Sequence, residues 1–250
     1  MSNIRVEHRD GIATVHLSRG KVNALIPEMV DELRVAFREL AARQDVAGVV
    51  LTGDGAFFSF GFDVPALYDL TPAAFLAFLR SFAALYTELF ELPKPLVAAL
   101  NGHAAAGGCM LALTADVRVM AEGRGRMGLN EVAFGSSLFA GSVEMLRFVA
   151  GDAAASRAAL GGALLEGGEA LRLGLVDELV AGDRLLEVAR ARAASLGHGQ
   201  PAAFRSIKAL LRARTAETMR AVDPASLEEF VAIWYSESTR RELRKIRIRE

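Results

Sequence analysis

A single cysteine, Cys109, stands in a chain of 250 residues. One thiol cannot form an intramolecular disulfide, so a disulfide framework is excluded and a reducing compartment is expected. An excess of either charge is missing too, since 29 Lys and Arg face 30 Asp and Glu. That balance argues against a long basic face for nucleic acid or an anionic membrane, while leaving room for a local basic patch. No uninterrupted apolar run reaches the ~18 residues expected of a membrane span. The opening MSNIRVEHRDGIATVHLS has early charge and no apolar core, unlike a secretory signal. A soluble, cytoplasmic protein is therefore expected.

Chemical signatures are missing as well. His8, His16, His103 and His198 are scattered without metal-ligand spacing, so no metal site is expected. The glycine-rich turns have neither a P-loop ending nor dinucleotide-fingerprint spacing. Ser136-Ser137 lacks the glycines of a nucleophile elbow.

What is present is core. With 52% hydrophobic residues, the chain can bury one sizeable interior with an appended segment. Residues 4–8 and 12–17 alternate in polarity across Asp10-Gly11, the pattern of a hairpin. From Pro27, Met29, Val30, Leu33, Phe37 and Leu40 follow helical spacing. Residues 46–51, 96–100 and 117–121 read as short buried strands. A helix over 71–92 opens with Thr71 and Pro72, and another begins at Gly107. Strand alternating with helix predicts an α/β fold with parallel pairing.

Beyond Gly141 the pattern turns to helices over 153–160, 185–196, 202–214 and 227–235, with almost no strand signal. The stretch Gly197-His198-Gly199-Gln200-Pro201 suggests a boundary, giving a core of residues 1–197 and a helical segment of residues 198–250. The closing RRELRKIRIRE reads as a solvated helix end or, alternatively, a subunit-contacting helix.

Two turns could bind an anion: Phe58-Ser59-Phe60-Gly61-Phe62-Asp63 and Ala104-Ala105-Ala106-Gly107-Gly108-Cys109. Each follows a predicted buried strand, and the second opens a helix whose first N–H groups lack partners. Such glycines can also report nothing beyond tight packing. One donor from each turn could converge on a single oxygen. Glu131 lies in an apolar neighbourhood that would raise its pKa and suit it to proton abstraction; the alternative is a carboxylate facing solvent or paired with an arginine. Cys109 reads as a small core residue. Phe57, Phe58, Phe60 and Phe62 read as core or pocket wall before any base-stacking platform.

Taken together, LSRGKVNALIPEMVDEL, VVLTGDGAFFSFGFDV, KPLVAALNGHAAAGGCMLALTADVRVMAEGRGRMGLNEVAFG and EALRLGLVDELV resemble the crotonase (enoyl-CoA hydratase/isomerase) superfamily. The likeness covers about residues 4–240 and is most specific from Lys94 to Gly135. It implies a crotonase-like ββα spiral core followed by helices, and a homotrimer or dimer of trimers. It also implies an acyl-CoA thioester substrate, with coenzyme A entering as part of that substrate and no separate cofactor. By matching motifs, the backbone N–H groups of Phe62 and Gly107 would form the oxyanion hole and Glu131 would be the catalytic acid/base. Asn23, Ala24, Leu25, Phe60, Gly61, Asp63, Gly108, Met110 and Phe139 would border CoA or the acyl group, and Phe134 and Leu138 add to an apolar pocket.

One departure matters. Hydratases of the family carry a glutamate directly after the GGC turn, where this chain has Met110. The dienoyl-CoA isomerase pattern fails too, because Met110 and Phe139 stand at its two aspartate positions. A single carboxylate in GLNE resembles the enzymes that shift a double bond from C3 to C2. The rivals are a specialised hydratase, lyase or hydrolase using another polar group, and an acyl-CoA-binding protein without chemistry.

Overall fold

The computed structural model describes residues 2–248. Strands β1 (Ile4–Arg9) and β2 (Ile12–Leu17) form the expected hairpin, with Asp10 at φ 50° and Gly11 at φ 77°. Both central residues take the positive φ that a two-residue turn needs to match strand twist. After helix α1 (Pro27–Ala42) comes β3 (Gly48–Gly53), two residues later than its apolar run suggested. The buried face of α1 is Met29, Val30, Leu33, Phe37 and Leu40, as its spacing predicted.

Strand β4 (Phe57–Ser59) leads to the short α2 (Val64–Leu67) and the long α3 (Pro72–Phe90), whose first turn Thr71 caps through Ala74 N. Then come β5 (Leu96–Leu100), β6 (His103–Ala105), α4 (Gly107–Leu113), β7 (Val117–Ala121) and β8 (Arg126–Gly128). One sheet has the order β1-β2-β3-β5-β7 and gains a sixth strand, β10 (Glu178–Val180), beside β7. Apart from the β1–β2 hairpin its strands run parallel. A second sheet orders β4-β6-β8 with a two-residue β9 (Leu165–Glu166) at its edge.

The inner strands of the first sheet, β2, β3, β5 and β7, are buried on both faces, while edge strand β1 is largely exposed. Val50, Val97, Ala99 and Val119 face Leu185, Ala189 and Ala193 of α8 (Leu185–Ser195). Residues one step along, Val49, Leu51, Ala98 and Leu100, join the larger core with α1 and α3. Side chains alternate across a strand, so each strand feeds both layers.

The second half departs from expectation in three ways. Helix α5 (Ala140–Ala150) was not foreseen, nor was β9, which is too short to show periodicity, while β10 ends the EALRLGLVDELV run whose likeness to a helix-strand segment of the family predicted it. Between them run α6 (Asp152–Gly161) and α7 (Gly167–Arg172). The two helices expected at 202–214 and 227–235 are one, α9 (Pro201–Trp234), which runs through Pro224. An interior proline costs about 3 kcal/mol. Buried Met219, Leu227, Phe230 and Trp234 on one face of α9 offset it.

The chain end is a helix end, as one reading expected, but it is anchored at Leu243 rather than wholly solvated. Helix α10 (Glu237–Leu243) packs on its own chain, with Leu243 buried and the Arg240 guanidinium 3.3 Å from the Tyr68 ring centre. By length and composition α3 could cross a membrane; here 56% of its apolar window is buried inside the protein, as in a core helix.

Candidate active site

Parallel strands β4 and β6 pair Phe57 with His103 and Ser59 with Ala104, so their two exit turns lie side by side. The approach is close enough to require glycine. A Cβ on Gly61 (φ 92°) would sit 2.9 Å from Ala105 O and 3.1 Å from Gly107 N, and one on Gly108 only 2.4 Å from Ser59 O. Ala106, the residue before α4, takes φ 49° and ψ −122°, a conformation costly for a residue with a Cβ. Its strain aims the start of α4 at the neighbouring turn.

In the first turn Leu25 N donates to Gly61 O (2.8 Å) and Asp63 N to Leu25 O (2.9 Å). In the second, Ala106 N donates to Gly128 O (2.9 Å) and Met110 N to Ala106 O (3.0 Å). The N–H groups of Phe62 and Gly107 donate in neither network. Two free backbone donors on adjoining turns can share one oxygen.

Glu131 opens a one-turn 3-10 helix (Glu131–Phe134) and is 5% exposed. Its Oε2 has no hydrogen-bond partner, and no ion pair among the described residues reaches it. Burial pushes its pKa up to about 8, against a smaller lowering by its own backbone N–H. The alternative of a solvent-facing or arginine-paired carboxylate is overturned. A carboxyl group near pH 8 exchanges protons readily at physiological pH.

A cavity of 310 Å³ brings Glu131 together with Phe60, Phe62, Gly107, Met110 and Phe139. Phe134 lines it too. Gly61 and Gly108 support its rim from behind rather than line it. Leu138 lies elsewhere, in a surface groove beside Val132.

Asn23, Ala24 and Leu25 are fully buried and do not line this cavity. The Asn23 amide is consumed internally: Oδ1 accepts from Arg19 N (3.0 Å), and Nδ2 donates to Asp54 O (3.0 Å) and Phe57 O (2.9 Å). Ser59 Oγ donates to Asn23 O (2.8 Å), so this residue locks the first turn to its neighbour. Asp63 accepts from Arg19 Nη1 (2.6 Å) and caps α2 through Ala66 N (3.0 Å). Cys109 is buried, and burial pushes its thiol pKa up, as fits a core residue. Among the described residues no group of three His, Cys, Asp or Glu could hold a metal.

Sequence reasoning missed the far wall. Phe230 and Trp234 of α9 and Ile246 beyond α10 line the cavity, and so does Asn130 beside Glu131. Phe230 and Trp234 stand four apart on one helix face, a signal of burial but not of what they bury against.

A family model described as enoyl-CoA hydratase/isomerase matches residues 7–244. This chain belongs to the enoyl-CoA hydratase/isomerase family. Human mitochondrial enoyl-CoA delta isomerase 1 is 30% identical over 235 residues, covering 93% of this chain and 78% of the relative. A putative enoyl-CoA hydratase of Thermus thermophilus is 40% identical over 194 residues, covering 76% of each chain. The crystal structure of human mitochondrial delta3-delta2-enoyl-CoA isomerase superposes with TM-score 0.92 at 30% identity, covering 97% of this chain and 96% of that one. The mixed α/β architecture is thus that of the enoyl-CoA hydratase/isomerase family. Relatives in it carry both names, so the groups in the cavity must discriminate between the two reactions.

Proposed function

We propose that this enzyme shifts the double bond of a 3-enoyl-CoA to C2, with Glu131 as its single proton carrier. One observation carries the reading: among the described residues lining the cavity, Glu131 is the only carboxylate, and Met110 lines it as an apolar neighbour. Isomerisation removes a proton from C2 and returns one to C4. One carboxylate over the dienolate serves both steps, taking the proton and handing it back.

In this reading the thioester oxygen sits between Phe62 N–H and Gly107 N–H, which stabilise the negative charge as the C2 proton leaves. Each donor contributes about 3 kcal/mol to lowering the barrier, and the base roughly 10²–10⁴ in rate. Asn23, Ala24, Leu25 and Asp63 then act by holding the first turn, while Phe60, Met110 and Phe139 contact the acyl group. The family resemblance supports a homotrimer or dimer of trimers, the single cysteine and the balanced charge support a cytoplasmic location, and the stretch Gly197-His198-Gly199-Gln200-Pro201 supports residues 198–250 as a separate helical segment.

A second reading is hydration. Asn130 lines the cavity next to Glu131 and its buried Oδ1 has no partner. A water held there would supply the polar group that Met110 does not. The two readings part in one assay, in which 3-enoyl-CoA and 2-enoyl-CoA are offered to wild type and Glu131→Gln. Isomerisation predicts conversion of the 3-enoyl ester and its loss in the variant. Rapid formation of 3-hydroxyacyl-CoA, with the 3-enoyl ester untouched, would replace isomerisation by hydration.

A further inference from the structure

The deep end of the cavity is closed by aromatic rings. Phe139, Phe230 and Trp234 line it and are at most 2% exposed. Phe139 stands at the centre of this floor, with ring centres 4.8 Å from Phe230, 6.2 Å from Phe62 and from Phe82, and 6.4 Å from Tyr86. Trp234 is backed in turn by Phe75, 4.6 Å away. Phe82 and Tyr86 stand directly behind Phe139, so an acyl tail running that way meets packed rings.

The floor is also tied from outside. Phe139 directly precedes α5, and no side chain within α5 caps its first turn. The cap comes from α9, where Ser226 Oγ accepts from Ala140 N (3.0 Å) and Asp223 Oδ1 from Gly141 N (2.7 Å). Asp223 Oδ2 meanwhile accepts from the buried Tyr86 hydroxyl of α3. Swinging Phe139 aside would strain bonds joining three helices. The mouth differs, since Phe60 there is 38% exposed.

We infer that this site selects short acyl chains, of about eight carbons or fewer, and that Phe139 sets the limit. This deepens the proposed function and rests on the cavity holding an acyl thioester. A methylene group is close to a water in size, about 30 Å³ of liquid volume, so the cavity holds roughly ten such groups. The thioester and the first atoms of the pantetheine arm take about three of them, leaving roughly six to eight for the acyl chain. Longer tails meet packed aromatic rings, whose displacement opens gaps that a close-packed interior resists.

The test is binding of saturated acyl-CoA esters from C4 to C16, measured by calorimetry. Saturated esters have no double bond to shift, so the result does not depend on which reaction the enzyme performs. Affinity should tighten by up to about fourfold per methylene as far as C8 and weaken at least tenfold by C12. Phe139→Leu keeps an apolar side chain in the core, frees roughly one methylene of room and should move the optimum about one carbon longer. Affinity that still climbs from C8 to C16 overturns the inference, because the tail would then leave through the mouth. A wild-type ceiling that a folded Phe139→Leu variant leaves in place overturns the role of Phe139. A ceiling found in an enzyme that isomerises no ester sinks the isomerase reading and leaves the chain-length limit standing. Failure to bind any ester sinks both.

Discussion

The ring of Phe62 lies over the Cα of Gly107 so closely that a Cβ there would be 3.1 Å from Cε1 and 3.3 Å from Cδ1. The two residues proposed to hold the thioester oxygen therefore set each other's positions. Phe62 has little room to retreat, with ring centres 4.9 Å from Phe78 and 5.0 Å from Phe82.

Gly107→Ala should push the two turns apart and spoil the convergence of their N–H groups. A loss of about 10²-fold in kcat is expected, comparable to removing one oxyanion donor. Steady-state kinetics with a thermal melt checks it. Unchanged kcat in a folded variant would remove Gly107 from the proposed hole.

The raised pKa of Glu131 gives a pH signature. The base acts ionised, so kcat/KM should climb about tenfold per pH unit below about 8 and level off above it. Glu131→Gln should lose the climbing limb and about 10²–10⁴ in rate. A flat wild-type profile from pH 6 to 9 would count against Glu131 as the proton carrier.

The same burial links Glu131 to stability. Its folded-state pKa lies above the ordinary value of 4.5, so its contribution is fully present below that value and is lost as pH rises through about 8. Glu131→Gln should therefore be more stable than wild type above pH 8, by on the order of a few kcal/mol, and nearly equal to it at pH 4. Urea titrations at both pH values measure the difference. Equal stability at high pH would mean that the carboxylate is solvated.

Asp223 offers a test of the tie between α9 and the rest of the site. Asp223→Ala leaves the Tyr86 hydroxyl and Gly141 N–H buried without their acceptor, a cost of about 2–4 kcal/mol. Tyr86→Phe removes one bond and keeps the ring, and should cost about 1–2 kcal/mol. Equal denaturation midpoints for Asp223→Ala and wild type would show that α5 does not depend on this cap.

The sequence alone determined the parts that depend on near neighbours. Asp10-Gly11 specified its hairpin, since the required positive φ is a property of the residues themselves. The buried face of α1 was legible because its five apolar residues recur at helical spacing. The resemblance around GGC and GLNE brought Phe62, Gly107 and Glu131 forward as candidates. Tertiary structure decided the rest. Composition around Glu131 allowed a solvent-facing carboxylate as readily as a buried one, and only tertiary packing, which brings α4 and α9 to the same cavity, buried it and raised its pKa. Pro224 spoke locally for a break in α9, and long-range burial of Phe230 and Trp234 outweighed it. Those same two rings form the pocket floor more than 90 residues from Phe139. Local pattern reports which side chains will be buried; which partners they meet across the chain is set by packing that no short window contains.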